Sequence, residues 1–172
     1  MNIQRLNADS IRQHFDELVE LLQNAVDDGA SIGFYPPPLA AEEARAYWEG
    51  IAADIQHGRV VIAALVENRV VGCVQMKPET RRNQLHRGDV QKLMVHTQFR
   101  RQGIGQALIQ AVDQAAREIG LTLLVLDVVA GADAERVYQR QGYTLAGTIP
   151  NYARSANGLL EATVYYYRLL EP

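Results

Sequence analysis

The chain has 172 residues, of which 48% are hydrophobic and 22% are charged, and its formal net charge is -3. This length and composition predict one globular domain over residues 1–172, with a core that needs neither disulfides nor metals. The mild acidity excludes a general attraction to nucleic acid or an anionic membrane, and no stretch approaches the roughly 18 apolar residues of a membrane span.

The first predicted elements are two helices separated by a loop. Apolar residues recur every three or four positions over residues 11–26, which predicts a helix with one buried face, capped by Ser10. Gly29, Gly33 and the prolines at 36–38 then interrupt regular structure, and a second helix is expected over residues 40–55. The loop of residues 29–35 either forms one wall of a pocket or is only a turn between helices.

The middle of the chain predicts a hairpin followed by a strand, a helix and a strand. Residues 60–66 and 70–76 are rich in β-branched side chains and flank a short polar segment, which indicates an antiparallel hairpin. After a polar connector at 78–88, residues 89–95 form another strand, and a helix runs from Ile104 to Gly120. Residues 121–129 are almost entirely apolar, as in a strand covered on both faces, so we expect this strand to lie parallel to 89–95.

The last third predicts a short helix at 134–141, ended by Gly142, and strands near 143–149 and 163–170. Strand-rich and helix-rich segments alternate without a linker. The fold class is therefore predicted to be α/β (α+β), with a mixed sheet and helices on both faces.

The single cysteine, Cys73, lies in an apolar run and cannot form an internal disulfide. A reducing cytoplasm is therefore the expected location. No histidine lies near Cys73 in sequence to activate it, so a buried thiol is favoured over an acyl-carrying nucleophile. The four histidines lack paired metal-ligand spacing, and no metal site is expected.

The segment before the helix at Ile104 has the features of a phosphate-binding turn. Residues 100–105 read Arg-Arg-Gln-Gly-Ile-Gly, so free N–H groups at a helix start lie beside glycines that let an anion approach and arginines that add donors. A Walker loop would need Gly-Lys-Ser/Thr, and a dinucleotide fingerprint would need a small residue where Leu108 lies. The remaining alternative is a glycine turn with solvated arginines.

These residues resemble the acetyl-CoA motif of the GNAT superfamily of N-acetyltransferases, Gln/Arg-x-x-Gly-x-Gly/Ala after a Leu-x-Val strand. The later family motif Ala-x-x-x-Tyr-x-x-x-Gly-Phe/Tyr is matched by Ala134, Tyr138, Gly142 and Tyr143. The resemblance implies a mostly antiparallel central sheet with a splayed parallel strand pair, and acetyl-CoA as cosubstrate. The cofactor-binding residues that it implies are Leu93, Met94, Val95, Arg100, Arg101, Gln102, Gly103, Ile104, Gly105, Gln106 and Ala107.

The resemblance also implies catalytic roles. Tyr138 matches the family's proton donor to the CoA sulfur, and Asp127 and Asp89 fall at the acceptor end of the cleft, where either serves as base or only ends a strand. The acceptor contacts are expected in the 29–35 loop, at Ser31, Phe34 and Tyr35. Gly131 departs from a common family pattern, which has an Asn seven residues before the tyrosine.

Residues 29–34, 90–95 and 147–167, which extend beyond the generic motif, are similar to GNAT enzymes that acetylate β-lactam amino-acid toxins. The expected function is direct transfer of acetyl to the primary amine of a small amino-acid-like acceptor, in a toxin or antibiotic resistance role. Paired GNAT subunits suggest a homodimer. The alternatives are a noncatalytic acetyl-CoA-binding regulator and a protein or peptide N-acetyltransferase.

Overall fold

The computed structural model describes residues 1–171, which form one seven-stranded sheet and five α-helices. The strands are β1 (Asn2–Leu6), β2 (Val60–Val66), β3 (Arg69–Pro78), β4 (Arg87–Val95), β5 (Leu123–Val129), β6 (Thr144–Arg154) and β7 (Leu160–Leu169). The helices are α1 (Ala8–Gln13), α2 (Phe15–Asp27), α3 (Ala41–Asp54), α4 (Ile104–Glu118) and α5 (Asp133–Arg140).

The sheet order is β1-β2-β3-β4-β5-β7-β6, and every neighbouring pair is antiparallel except β4 and β5, which are parallel. This confirms the predicted mixed, mostly antiparallel sheet. The hairpin turn between β2 and β3 holds Glu67 and Asn68 at φ 51° and 64°, the left-handed conformations that a tight two-residue hairpin turn favours.

The N-terminal region differs from the prediction. Strand β1 pairs with β2, but three of its five residues are polar and only Leu6 is buried, so it lacks the alternating pattern by which a half-buried strand is predicted. The predicted helix over 11–26 is two helices that meet at His14. Asn7, not Ser10, is the N-cap: its side chain accepts from the Ser10 N–H (2.8 Å), while Ser10 Oγ accepts from the Asn7 N–H (2.7 Å).

The two faces of the sheet bury two separate cores. Helices α4 and α5 pack on one face, where Leu108 of α4 shares a buried cluster with strand residues such as Val90 and Leu124. Helices α1, α2 and α3 pack on the other, where Trp48 is fully buried and donates from Nε1 to the Leu18 carbonyl at 2.8 Å. Each fully buried large apolar side chain stabilises the fold by about 1.5–3 kcal/mol.

Close contact between the sheet and α4 fixes the position of that helix. A Cβ added to Gly72 of β3 would lie 3.0 Å from Ile104 Cγ2 and 3.1 Å from Leu108 Cδ1, so glycine lets the first turn of α4 lie directly on the sheet. The predicted cover on both faces of β5 is wrong, since Leu124 and Leu126 are buried on one face whereas Asp127 is exposed on the other. That uncovered face belongs to the site described next.

Candidate active site

Strands β4 and β5 pair over three residues and then separate. Their pairs run from Arg87↔Leu123 to Asp89↔Val125, and no further pair joins them in the described chain. Beyond Asp89, β4 contains a bulge at Lys92, which has φ 53°, and its register against β3 shifts there. Bulges bend a strand and increase its twist. The ends of β4 and β5 therefore leave a gap in the sheet, with unpaired main chain facing it.

Two of the three predicted β4 amides face this gap. The His96 N–H donates to the Val71 carbonyl of β3 at 2.9 Å, and donors alternate in direction along a strand. Met94 therefore points its amide at β3, and its side chain is buried in the core. Leu93 and Val95 point theirs away from β3, so they are the amides that can pair with a ligand in the gap.

The turn before α4 presents a row of unpaired N–H groups. The first bond of the helix runs from the Ala107 N–H to the Gly103 carbonyl (3.0 Å), and the N–H groups of residues 102–106 find no protein acceptor within residues 1–171. Gly103 has φ 80°, and an added Cβ there would meet no atom within 4 Å. An open row of amides at the positive end of a helix fits a diphosphate. The amide of Ala107 is already occupied.

The two predicted arginines are in different situations. Arg100 pairs with Asp28 of α2 (2.5 Å) and donates to the Val95 carbonyl (3.2 Å). This guanidinium therefore ties the turn to the rest of the fold. Arg101 is exposed, has φ 59° and has no side-chain partner in the described chain, so its guanidinium is available to an anion.

Tyr138 lies on α5, the helix that follows β5, in an aromatic cluster. Its side chain is 6% exposed, with ring centroids 5.8 Å from Tyr143 and 6.4 Å from Tyr166. The hydroxyl has no hydrogen-bond partner among residues 1–171, yet it is not sealed from solvent. Burial, with a smaller effect from Asp127, raises the pKa of Tyr138 above its usual range. The phenol therefore stays protonated near neutral pH and can act as a donor.

Glu135 fixes the orientation of α5. One carboxylate oxygen accepts from the Gly131 N–H and the other from the Tyr166 hydroxyl, both at 2.5 Å. Gln139 adds a bond from Nε2 to the same hydroxyl at 2.8 Å. Gly131 thus stands where the common family pattern has an asparagine. Its main-chain N–H donates to Glu135 of α5 rather than to a ligand.

The predicted carboxylates share one face of the sheet. Asp89 pairs with Val125, and Asp127 lies two residues further along β5, so their side chains project to the same side. Partial desolvation raises the pKa of Asp127, Lys92 opposes this effect, and Asp89 adds to it. Asp89 lies 3.7 Å from Arg87 Nε, whereas Asp127 forms no ion pair within the described residues. Asp127 is therefore the better placed of the two to accept a proton.

Lys92 is a site residue that sequence reasoning missed. Its Nζ donates to the Ile32 carbonyl (2.5 Å) and lies 5.7 Å from the Phe34 ring centroid and 5.9 Å from that of Tyr47. Phe34 meets Tyr47 edge to face, 5.3 Å between centroids. The bulge turns the Lys92 side chain toward this loop. No sequence pattern predicts a lysine at positive φ, so the sequence alone does not assign Lys92 to the site.

The other predicted acceptor residues lie along the same loop. Tyr35 is 50% exposed, and its hydroxyl lies 3.5 Å from where a Cβ on Gly158 would stand, in the turn between β6 and β7. Ser31 is exposed and has no side-chain partner within the described chain. The loop therefore reaches the β6–β7 turn.

Across residues 1–171, no three His, Cys, Asp or Glu side chains cluster so as to hold a metal ion. In the same part of the chain, no helix is both long and apolar enough to cross a membrane.

Known proteins resemble the chain in sequence and in fold. The model of the Acetyltransferase (GNAT) family matches residues 15–143. An uncharacterised N-acetyltransferase from the hisH-hisA intergenic region of Azospirillum brasilense is 28% identical over 114 residues, 65% of this chain and 66% of that protein. The chain thus aligns with just under two thirds of that relative's length.

Solved structures share the fold over nearly the whole chain. A ribosomal-protein-alanine N-acetyltransferase from Brucella melitensis has a TM-score of 0.80 at 20% identity, covering 99% of this chain and 100% of that one. The Salmonella typhimurium protein yncA, solved with its cofactor acetyl-CoA, has a TM-score of 0.80 at 16% identity, covering 100% and 95%.

At these identities the solved structures establish the fold alone. The family model, however, spans more than half of the chain and includes the β4–α4 turn and Tyr138. The protein belongs to the GNAT family of acetyltransferases, whose members use acetyl-CoA as cosubstrate.

Proposed function

We propose that residues 1–172 form one GNAT domain that transfers acetyl from acetyl-CoA directly to the primary amine of a small amino-acid-like acceptor. The observation that carries this proposal is the separation of β4 from β5, which sets unpaired amides on one strand beside an unpaired carboxylate, Asp127, on the other. Tyr138, with its free hydroxyl, comes from the helix that follows β5.

The chain offers donors for each part of the cosubstrate. The amides of residues 102–106 and the Arg101 guanidinium would hold the diphosphate, and the amides of Leu93 and Val95 would pair with the pantetheine and the acetyl oxygen. Bound acetyl-CoA supplies a thioester whose carbonyl carbon an amine can attack. An amide already aimed at the carbonyl oxygen stabilises the negative charge that develops there, because it needs no reorganisation.

Asp127 and Tyr138 divide the proton transfers. An α-ammonium group with a pKa near 8 is mostly protonated at pH 7, so Asp127 must first accept a proton from it, directly or through water. As the C–N bond forms and the C–S bond breaks, the nitrogen loses a second proton to solvent. Tyr138 donates one to the departing sulfur and is then reprotonated. The acceptor nitrogen thus loses two protons in total. The new thiol carries one proton, so the reaction releases one proton to solvent.

Access to the acceptor face favours a small molecule. The 29–38 loop meets the β6–β7 turn through Tyr35 and Gly158, and Asp27 fixes its far end by accepting from the Leu39 N–H at 2.8 Å. A peptide needs an open groove, which this crossing opposes. The Brucella protein named above acts, by its name, on a ribosomal protein, so a peptide acceptor is the alternative to be tested.

Three finer points belong to the same proposal. The similarity of residues 29–34, 90–95 and 147–167 to the tabtoxin resistance protein makes a β-lactam amino acid a member of the acceptor class, with resistance as the role. The buried free thiol of Cys73 supports a cytoplasmic location. A homodimer is supported by β6, an edge strand whose Leu145 and Ile149 are 52% and 43% exposed.

The test is thiol release from acetyl-CoA with three acceptor sets: amino acids including a β-lactam amino acid, non-amino-acid amines, and peptides. We expect thiol release matched by N-acetylated product, largest for amino-acid-like amines. Binding of acetyl-CoA without turnover of any acceptor would identify a regulator, and turnover of peptides alone would identify a protein acetyltransferase. Light scattering at several protein concentrations tests the dimer.

A further inference from the structure

A cluster of polar side chains lies beside the acceptor face and has no role in the steps above. It consists of Arg59, Gln75, Gln91 and Lys92, on and beside β2, β3 and β4, under Tyr47 of α3. Gln75 and Gln91 are direct partners in the β3–β4 ladder, and Asp89 follows two residues back on the same strand face. The cluster is therefore one pleat, about 6.6 Å, from the acidic residues, the scale of a single amino acid.

Gln75 has a donor with no acceptor. Its side chain is fully buried, and Nε2 has no hydrogen-bond partner among residues 1–171. The orientation of the amide is fixed, because Oε1 accepts from the Tyr47 hydroxyl at 3.0 Å and from Arg59 Nη1 at 3.1 Å. A buried donor without an acceptor destabilises the fold, and a ligand oxygen would offset this cost.

The cluster also carries more positive than negative charge. Arg59 is 10% exposed and pairs with Asp54 at 2.7 Å. Lys92 forms no ion pair within the described residues, and its one acceptor is the Ile32 carbonyl. Burial, and then the nearby Arg59 charge, lower the pKa of Lys92. An ammonium group with two unused donors beside a second cation is a site for an anion.

We propose that Lys92, Arg59 and the Gln75 Nε2 form a carboxylate subsite that selects acceptors bearing a carboxylate near the amine. This proposal rests on the proposed function and names its substrate class. Asp127 and Asp89 attract the ammonium end of the acceptor, and the cluster one pleat away binds the carboxylate end. Amines that lack the carboxylate leave Lys92 without a counter-charge and the Gln75 Nε2 donor without an acceptor, so they bind weakly.

The experiment compares amino acids with their α-amides, which keep the amine and lose the charge. Equilibrium dialysis in the presence of CoA measures binding, and thiol release from acetyl-CoA measures kcat and KM. Lys92→Gln is the test variant, because it removes the charge and retains a donor for the Ile32 carbonyl. Lys77→Met is the matched control, since it removes an exposed lysine from the same sheet.

For the wild type we expect the free acid of at least one amino acid to bind and react at least tenfold better than its amide. Lys92→Gln should raise KM at least tenfold for the acid and less than twofold for the amide, with acetyl-CoA affinity and Tm retained; any change in kcat should be the same for both acceptors, because Lys92 also acts on the pKa of Asp127. Lys77→Met should keep the preference. Equal binding of acids and amides by the wild type, or an equal loss of both in Lys92→Gln, would overturn the subsite. Carboxylate-dependent binding without thiol release would uphold the subsite and reject the transferase.

Discussion

The clearest test of the cosubstrate site is an aspartate placed at each end of α4. Gly103 and Gly120 have φ 80° and 79°, and at both an added Cβ would meet no atom within 4 Å. Gly103→Asp and Gly120→Asp therefore impose the same left-handed strain of about 1–2 kcal/mol and the same charge. They differ in position, because only Gly103 lies beside the proposed diphosphate.

Gly120→Asp should be the less stable of the two variants, and Gly103→Asp should be the one that binds acetyl-CoA more weakly. A carboxylate is stabilising at a helix start and destabilising at its end by about 0.3–1 kcal/mol each, so Gly120→Asp should have the lower Tm. A new charge about 4 Å from a phosphate is unfavourable by about 1 kcal/mol in water and about 4 kcal/mol near a protein surface, so Gly103→Asp should raise the acetyl-CoA Kd about fivefold to a thousandfold.

Isothermal titration calorimetry with acetyl-CoA measures the affinities, and differential scanning calorimetry measures Tm. Raising the ionic strength should narrow the affinity loss, because salt screens the repulsion. A folded Gly103→Asp protein with wild-type affinity, or an equal loss of affinity in Gly120→Asp, would refute the placement of the diphosphate at this turn.

Three other variants test the remaining assignments. Tyr138→Phe should lower kcat by about a hundredfold or more. Tm and acetyl-CoA affinity should be retained, because the Tyr138 hydroxyl has no partner within residues 1–171. An unchanged kcat, measured where acetyl transfer is the rate-limiting step, would show that Tyr138 is not the proton donor. In the wild type, kcat/KM should fall as pH drops through the raised pKa of Asp127, and Asp127→Asn should lack this limb in a pH profile. Asp127 ionises less readily in the folded protein than in the unfolded chain, so Asp127→Asn should also raise Tm at pH 7. It should not raise Tm below pH 3, where Asp127 is neutral in both the folded and the unfolded protein. Gly72→Ala should lower the free energy of unfolding by about 1–3 kcal/mol in urea titrations, since the new methyl group would crowd Ile104 and Leu108; wild-type stability would mean that α4 can shift.

The parts of the site that depend on local chain geometry were predictable. The apolar spacing of α4 and the glycines at its two ends predict where the helix begins and ends; it begins at Ile104 as predicted and ends at Glu118, two residues before Gly120. The parallel pairing of β4 with β5 follows because a helix connects them. These features require information from only a few neighbouring residues.

The parts that depend on distant contacts were not predictable. Arg100 is held by Asp28, which is 72 positions earlier in the chain, and this pairing removes it from the set of free donors. Met94 turns its amide to β3 because of a bulge that no residue type marks. Lys92 reaches the acceptor face for the same reason. Strand β1 exists because β2 offers an edge to pair with, since its own sequence has little apolar alternation.

The buried Trp48 gives the protein an intrinsic optical reporter. It is the sole tryptophan of the chain, and its indole stands 5.4 Å from the Tyr47 ring, which in turn meets Phe34 at 5.3 Å. This line of rings runs from the interior to the loop beside Lys92. An acceptor that displaces Phe34 therefore perturbs the surroundings of the indole through one intervening ring, and its arrival can be followed by emission without a label.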